Sequence, residues 1–539
     1  MRGITGLLAA GQFPVCRYAA RNAKFEAEKV CAEDERWLVH FDGVLLNHAK
    51  PERENSRFEL LTGLYEQYGA QMTAHLKGQF NLVIRDKQNG KTLVANDLLS
   101  KRPLYYCIQA NCLFYAASYT DLLEMLGGTP LSADAQAVER MALTGALGGT
   151  QTYVKEISYL AAYQALLFDD AGGKTQVMRV EPRPTPSASG MEEAADIFDR
   201  LFSAAVRAQF DKNIEYGYDQ RIALSGGMDS RACLLRAVSC GYDRDIACVT
   251  YSQAGSIDYT VSQQIAFDNH LDYLFYPMDA AVFMDRLDDT MRCNECQQSC
   301  IGSTGARTMA RLLDQSRSGI MHVGLCGGEL MGDLITAQGG GKLKRILRRL
   351  GLAGTEGLTF HADRQDYLDN LRACQNFSQM FMEECEAVSP FMDEDVVQFV
   401  SGLKPELLYR RSLYREWMKK YIPNDYPTTY FCGPVDISPV KEVLAKTADV
   451  LVRRVAGASK RDMNPIERWV QINPHLARQM ETAYASGMDM LKNANMDGEV
   501  LAALQKAWTP SAEQRLYVLT ALTALKEMIK HTKKENEHG

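Results

Sequence analysis

Hydrophobic and polar positions follow two different rhythms along this chain of 539 residues. Up to about residue 180, short apolar stretches dominate. Trp37–Phe41, Phe80–Arg85, Thr92–Ala95 and Leu113–Ala116 each read as a strand, with Gly and Asn nearby as turns. One helix interrupts them, because Phe58, Leu61, Leu64, Tyr65 and Tyr68 recur at helical spacing. Glu181 to Gly190 then holds Pro182, Pro184 and Pro186 among small polar residues, which can continue neither a helix nor a central strand. This stretch is expected to be a linker.

Beyond it the rhythm becomes strand–helix–strand. Met191–Phe210 is amphipathic, with Ile197, Leu201, Ala205 and Phe210 on one side and acids at its start. A strand (Arg221–Leu224), a Gly-rich turn and a helix (Arg231–Ser239) follow. Next come a strand (Ile246–Tyr251), a helix from about Ser256 to Asn269 and a short strand (Tyr273–Tyr276). This alternation predicts a parallel, doubly wound sheet. The remainder, from about 290 to 530, reads as mostly helical. Its late stripe of Leu516, Leu519, Leu522, Leu525 and Ile529 reads as core rather than as a partner surface.

Composition changes this picture little. The chain is 46% hydrophobic and 24% charged with a net charge of −7, which fits an ordinary soluble protein and argues against a nucleic-acid partner. No apolar run approaches the roughly 18 residues of a membrane span, and no secretory signal is apparent. Fourteen cysteines without dense pairing fit reduced thiols in a cytoplasm. Cys293, Cys296 and Cys300 lack a clear fourth ligand and read as buried or free thiols rather than as a zinc site. Gly339 to Leu350 reads as a hinge before a basic amphipathic helix: a solvated face, or a clamp over an anionic or peptide substrate.

The strongest chemical signal is Leu224-Ser225-Gly226-Gly227-Met228-Asp229-Ser230, set between a strand and a helix. Ligands bind where such strands end. Paired glycines let backbone N–H groups approach phosphate oxygens, and the helix start adds donors and a partial positive charge. Ser225 and Ser230 add hydroxyls. Asp229 is a poor phosphate neighbour unless a divalent cation lies between them, which suggests magnesium. The competing reading is a Ser/Gly-rich turn with Asp229 as a cap. This is not the Gly-x-x-x-x-Gly-Lys-Ser/Thr loop of hydrolysing ATPases.

Ser225–Ser230 resembles the pyrophosphate-binding loop of the asparagine synthetase family, and other segments agree in order. Asp42 to His48 resembles Asn-Gly-Glu-Ile-Tyr-Asn-His. Leu76 to Phe80 resembles Leu-x-Gly-Met-Phe. Asn96 to Tyr106 resembles Arg-Asp-x-x-Gly-x-Lys-Pro-Leu-Tyr-Tyr, Phe114 to Ser118 resembles Phe-Ala-Ser-Glu, and Pro390 to Asp393 resembles Pro-Phe-Leu-Asp. The resemblance implies an α+β N-terminal-nucleophile-like sandwich over 1–180, a linker over 181–190, and an α/β ATP-pyrophosphatase domain with a parallel sheet over 191–539. In the family, a cysteine after the initiator methionine hydrolyses glutamine. Here position 2 is Arg2, which has no nucleophilic electron pair at neutral pH, and Cys16 has no free α-amine. The first half is therefore expected to persist as a scaffold without glutaminase activity. Lasso-peptide cyclases and β-lactam synthetases resemble asparagine synthetase and lack the cysteine in the same way.

By the same resemblance the second half uses ATP and magnesium to adenylate a carboxylate, which an amine then attacks. Both substrates are small molecules or peptides of unassigned identity. Leu224 and Gly324 would border the adenine; Ser225, Gly226, Gly227 and Ser230 would hold pyrophosphate oxygens. Val323 to Asp333 resembles Thr-Gly-Glu-Gly-Ala-Asp-Glu-Leu-Phe-Gly-Gly and puts Gly328 at the metal-binding Asp. The neighbouring Glu329 is taken as the second ligand beside Asp229, with Asp333 next in line; a Gly-rich turn with a solvated Glu is the alternative. Leu325 stands where asparagine synthetases carry Glu and β-lactam synthetases Tyr. Arg410 to Arg415 resembles Gly-Lys-Tyr-Leu-Leu-Arg, with Arg411 at the lysine, and Pro427 to Gly433 lacks the lysine the family often carries there. Arg411 or Arg415 is a candidate to replace that cation. The expected function is an amide-forming ligase; an intramolecular cyclase and a non-catalytic nucleotide-binding protein are the alternatives. The resemblance allows a homodimer and leaves the oligomeric state open.

Overall fold

The computed structural model describes residues 3–10, 15–53, 55–279, 287–301, 303–337, 358–360, 364–422 and 462–532. Arg2, the basic segment 339–350, the lysine-free segment 427–433 and the polar tail beyond Thr532 lie outside them.

The strands of the first half are β1 (Gly3–Ala9), β2 (Val15–Ala19), β3 (Val30–Glu33), β4 (Trp37–Leu45), β5 (Gly78–Asp86), β6 (Lys91–Asn96), β7 (Tyr105–Gln109), β8 (Cys112–Ala116), β9 (Ser158–Tyr159), β10 (Gln164–Asp169) and β11 (Lys174–Arg179). They form two antiparallel sheets, ordered β2-β1-β8-β7-β9 and β11-β10-β6-β5-β4-β3. Ile4, Leu8, Leu113 and Tyr115 of the first meet Val83, Val94, Leu166 and Phe168 of the second in a closed apolar layer. Alternating side chains leave each sheet a second face, and helices cover both. Helix α1 (Ser56–Tyr68) packs on the larger sheet; α2 (Tyr119–Met125) and α3 (Ala135–Thr144) pack on the smaller. The result is a four-layer sandwich. All four strands read from the apolar stretches are present, each longer by a residue or more.

After residues 181–190, which carry neither helix nor strand, α4 (Met191–Tyr216) runs until Gly217 turns left-handed at φ 72°. The second half then builds a parallel sheet. Its members are β12 (Asp219–Ala223), β13 (Ile246–Ser252), β14 (Asp272–Pro277), β15 (Ser318–His322) and β18 (Glu386–Val388); β16 (Ile335–Ala337) and β17 (Leu358–Phe360) form a separate hairpin. The order β14-β13-β12-β15-β18 puts β12 at the centre, and every pairing is parallel. Among the described residues the region beyond 290 is mostly helical, as the sequence suggests, but it also carries strands that the apolar pattern does not reveal. It supplies two strands of the sheet. Both are short, and all five residues of β15 and all three of β18 are buried, so no polar alternation betrays them. Helix α5 (Met228–Ser239) begins three residues before its expected start, inside the Gly-rich motif.

Charged residues weld the halves together. The Arg102 guanidinium, fully buried, donates to Asp42 Oδ2 at 2.5 Å and to Glu386 Oε1 at 2.6 Å on β18. Lys101 Nζ bonds Glu394 Oε1 at 2.7 Å, and Lys77 Nζ bonds Asp395 Oδ2 at 2.5 Å. The helix Ala512–Thr532 returns to cover α2 and α3, burying Leu516, Leu519, Leu522, Leu525 and Ile529 as the stripe implies. No helix among the described residues is long and apolar enough to cross a membrane.

Candidate functional site

The Gly-rich turn leaves the C-terminal end of the central strand, where an open parallel sheet offers a crevice. Leu224 is buried and still tied into the sheet: its N–H donates to Val249 O (2.9 Å) and its carbonyl accepts from Thr250 Oγ1 (2.8 Å). Past it the chain folds on itself. Ser225 N–H donates to Ser230 Oγ (3.0 Å), the two serine hydroxyls lie 3.0 Å apart, and Gly227 N–H donates to Ser225 Oγ (3.2 Å). Gly226 N–H donates to Asp258 Oδ1 at 3.0 Å. Asp258 is at the first turn of α6 (Ile257–Asp268), and Ser256 caps that helix through Tyr259 N–H. Helix α5 starts at Met228 without a side-chain cap, so its first turn keeps donors for a ligand.

The second loop leaves β15, the neighbour of β12, and interlocks with the first. A Cβ on Gly324 would lie 2.3 Å from Ser230 N, and one on Gly327 would lie 2.4 Å from Asp229 Cγ. At 324 only glycine lets the two backbones come this close, and at 327 a Cβ would strike the Asp229 side chain. Gly328 N–H donates to Asp229 Oδ2 at 3.0 Å, while Tyr414 Oη donates to Asp229 Oδ1 at 2.9 Å. Both carboxylate oxygens are thus held, and each retains a lone pair. Burial pushes the Asp229 carboxyl up to about 6; the Arg411 charge opposes that, the Glu329 charge adds to it, and the bonds from Tyr414 and Gly328 oppose it.

Arg411 sits against the same loop. Two successive residues, Arg410 and Arg411, adopt left-handed backbone at φ 60° and present the guanidinium to Asp333. Its Nε donates to Asp333 Oδ1 at 2.7 Å and its Nη2 to Asp333 Oδ2, a two-point fork. A Cβ on Gly328 would lie 2.5 Å from Arg411 Nη2. The place where the resembling motif carries an aspartate is therefore bordered by a cation. Glu329 opens the one-turn π-helix Glu329–Asp333, half-buried, close enough for its charge to act on Asp229. Asp333, the other candidate carboxylate, is committed to Arg411.

The fold thus brings Ser225, Gly226, Gly227, Asp229, Ser230, Gly324, Glu329 and Arg411 to one place. No three His, Cys, Asp or Glu side chains among the described residues converge as a metal cage. Asp229 and Glu329 are the two carboxylates near each other at this turn that could hold a hard cation. Leu325 is half-buried, and its carbonyl accepts from Ser389 Oγ (2.7 Å). Cys293, Cys296 and Cys300 are buried and in no disulfide among the described residues. Sequence reasoning missed Asp258 and Tyr414. Asp258 had a faint signal, an acid two residues after the Ser256 cap. Tyr414 had none, because it lies in the apolar stripe Leu413, Tyr414, Trp417 and Met418 of helix Ser412–Tyr421 and reads as core.

Comparison with known proteins informs the first half. Residues 30–178 match the model of a glutamine amidotransferase domain. A curated relative, "Amidase chry2" of Gibberella zeae, is 32% identical over 69 residues, 13% of this chain; the match spans 10% of that relative's length. Two solved structures cover 51% of this chain. One is the allosteric regulatory enzyme of purine biosynthesis (12% identity, 74% of that chain, TM-score 0.22); the other is the glutamine phosphoribosylpyrophosphate amidotransferase of B. subtilis (10% identity, 84% of that chain, TM-score 0.20). Scores this low place no constraint on the fold. The family model and the stacked antiparallel sheets together make the first half a domain of glutamine amidotransferase type.

Proposed function

We propose that this chain is an ATP-dependent carbon–nitrogen ligase of asparagine synthetase type that adenylates a carboxylate for amide-bond formation, with magnesium and without glutaminase activity of its own. The observation that carries the reading is the Ser225–Ser230 turn at the end of the central parallel strand, interlocked with the Gly324–Gly328 loop of the adjacent strand. On this reading residues 1–180 are the glutaminase-like scaffold, 181–190 the linker and 191–539 the ATP-pyrophosphatase-type domain.

In the first step a substrate carboxylate oxygen attacks the α-phosphorus, the bond to the β-phosphate breaks, and pyrophosphate leaves. In the second an amine attacks the acyl carbon, the bond to AMP breaks, and the nitrogen loses its proton. The loop N–H groups and the Ser225 and Ser230 hydroxyls, now bonded to one another and to Asp258, would turn to the phosphate oxygens. Leu224 and Gly324 would flank the adenine. Arg411 would exchange part of its pairing with Asp333 for the charge of the departing pyrophosphate. Asp229 and Glu329 would hold magnesium, which supplies charge neutralisation at those oxygens. With Arg2 in place of the nucleophile, the amine would be free ammonia or part of a second substrate, or of the same one as in the cyclases.

Incubation with ATP, magnesium and candidate carboxylates, followed by pyrophosphate assay and mass analysis of the product, tests the proposal. Asp229→Ala is expected to abolish pyrophosphate release; an unchanged rate would remove Asp229 from the magnesium site. A second reading, a nucleotide-binding protein without catalysis, is favoured by Leu325 and by Gly328 in place of a carboxylate. It is distinguished by calorimetric ATP binding with no turnover of any carboxylate.

A further inference from the structure

The carboxylate at the centre of the site is gripped by a residue that neither the motifs nor the resemblance assigns. Tyr414 is buried, and its Oη lies 2.9 Å from Asp229 Oδ1. Its ring stacks on Trp417 at 5.9 Å and meets Phe391 edge-on at 5.7 Å, so the hydroxyl is delivered from a fixed aromatic platform. The resembling motif has leucine at this place, which cannot donate. Asp229 Oδ2 is held from the opposite direction by Gly328 N–H. The two bonds together stop the carboxylate rotating and leave the remaining lone pairs aimed away from both donors. In the low-dielectric surroundings of Asp229 a misdirected carboxylate could not be rescued by water.

We propose that Tyr414 is a positioning residue: it orients Asp229 to receive the divalent cation that accompanies ATP. The inference rests on the ligase reading and refines its metal site. Ligand-orienting partners of this kind change metal affinity by roughly 10–100-fold when removed.

The test is calorimetric titration of magnesium into the full chain at saturating ATP, which needs no turnover. Tyr414→Phe keeps the ring and its packing and removes only the oxygen. It is expected to raise the magnesium concentration for half-saturation about tenfold, while ATP affinity measured without magnesium changes less than twofold. Tyr421→Phe, which breaks the Tyr421 Oη–Asp196 Oδ1 bond (2.6 Å) on the same helix and lies outside that platform, is the control. It should lower the melting temperature without moving the magnesium requirement. Should Tyr414→Phe fail to fold, Tyr414→Leu replaces it. If Asp229→Asn shifts the magnesium curve and the Tyr414 variant does not, the positioning role is overturned and the metal assignment stands. If neither shifts it, both fall.

Discussion

At the scale of single residues, burial decides what the charged and polar groups of the parallel sheet can do. His322 on β15 is buried, stacked on Phe210 at 3.8 Å and 11°, with Nε2 at 2.9 Å from Gln220 Oε1. Burial pulls its pKa down to about 3. The unfolded chain, near 6.5, binds that proton more readily. The contribution of His322 to stability is therefore complete above about pH 6.5 and is lost progressively as pH falls toward 3. In urea denaturation, the stability gap between wild type and His322→Gln should narrow as pH drops from 7.5 to 5; a constant gap would show that His322 does not titrate this way. The same scale explains what could be read in advance. Asp229, Ser225 and Ser230 stood out because their types at that spacing suit phosphate chemistry, and the structure places them on one turn. Tyr414 was not, because a hydroxyl on a buried aromatic looks like core until its partner, 185 residues away, is known.

Between elements, two loops from adjacent strands meet with glycine on the contact, and the atom that each would strike sets the cost of filling it. A Cβ at Gly324 meets the backbone of Ser230, which cannot move without shifting the start of α5. Gly324→Ala is expected to cost about 1–3 kcal/mol and, on the proposed ligase reading, to weaken ATP binding. A Cβ at Gly328 meets the tip of a long side chain, Arg411 Nη2, which can swing. Gly328→Ala should stay within about 1 kcal/mol of wild type while disturbing the Arg411–Asp333 pair. Chemical denaturation of the two variants side by side checks the contrast, and equal losses would refute it. Element types were read well where periodicity was strong, as in α4, α6, β13 and the four first-half strands. β15 and β18 escaped because strands buried on both faces carry no alternation.

Across the whole molecule, motifs that resemble catalytic-domain signatures turn out to join the halves. Asn96 to Tyr106 contributes Lys101 and Arg102, and Asp42 lies in another such segment; all three are buried at the junction with Glu386 and Glu394. Deleting one member strands the others. Arg102→Met is expected to lose about 3–5 kcal/mol, and adding Asp42→Asn and Glu386→Gln should restore part of it; a single variant as stable as wild type would mean the cluster carries no net strength. The order in which the chain is made gives the helix Ala512–Thr532 a further meaning. It seals α2 and α3, elements synthesised some 370 residues earlier. Until it emerges from the ribosome, the outer face of the sandwich is covered only in part, by the helix Gly498–Ala507 on α3, and an apolar surface stays open to other nascent chains. Maturation of the first half must therefore wait for this late helix, and truncation before it would leave a sticky product rather than a smaller working one.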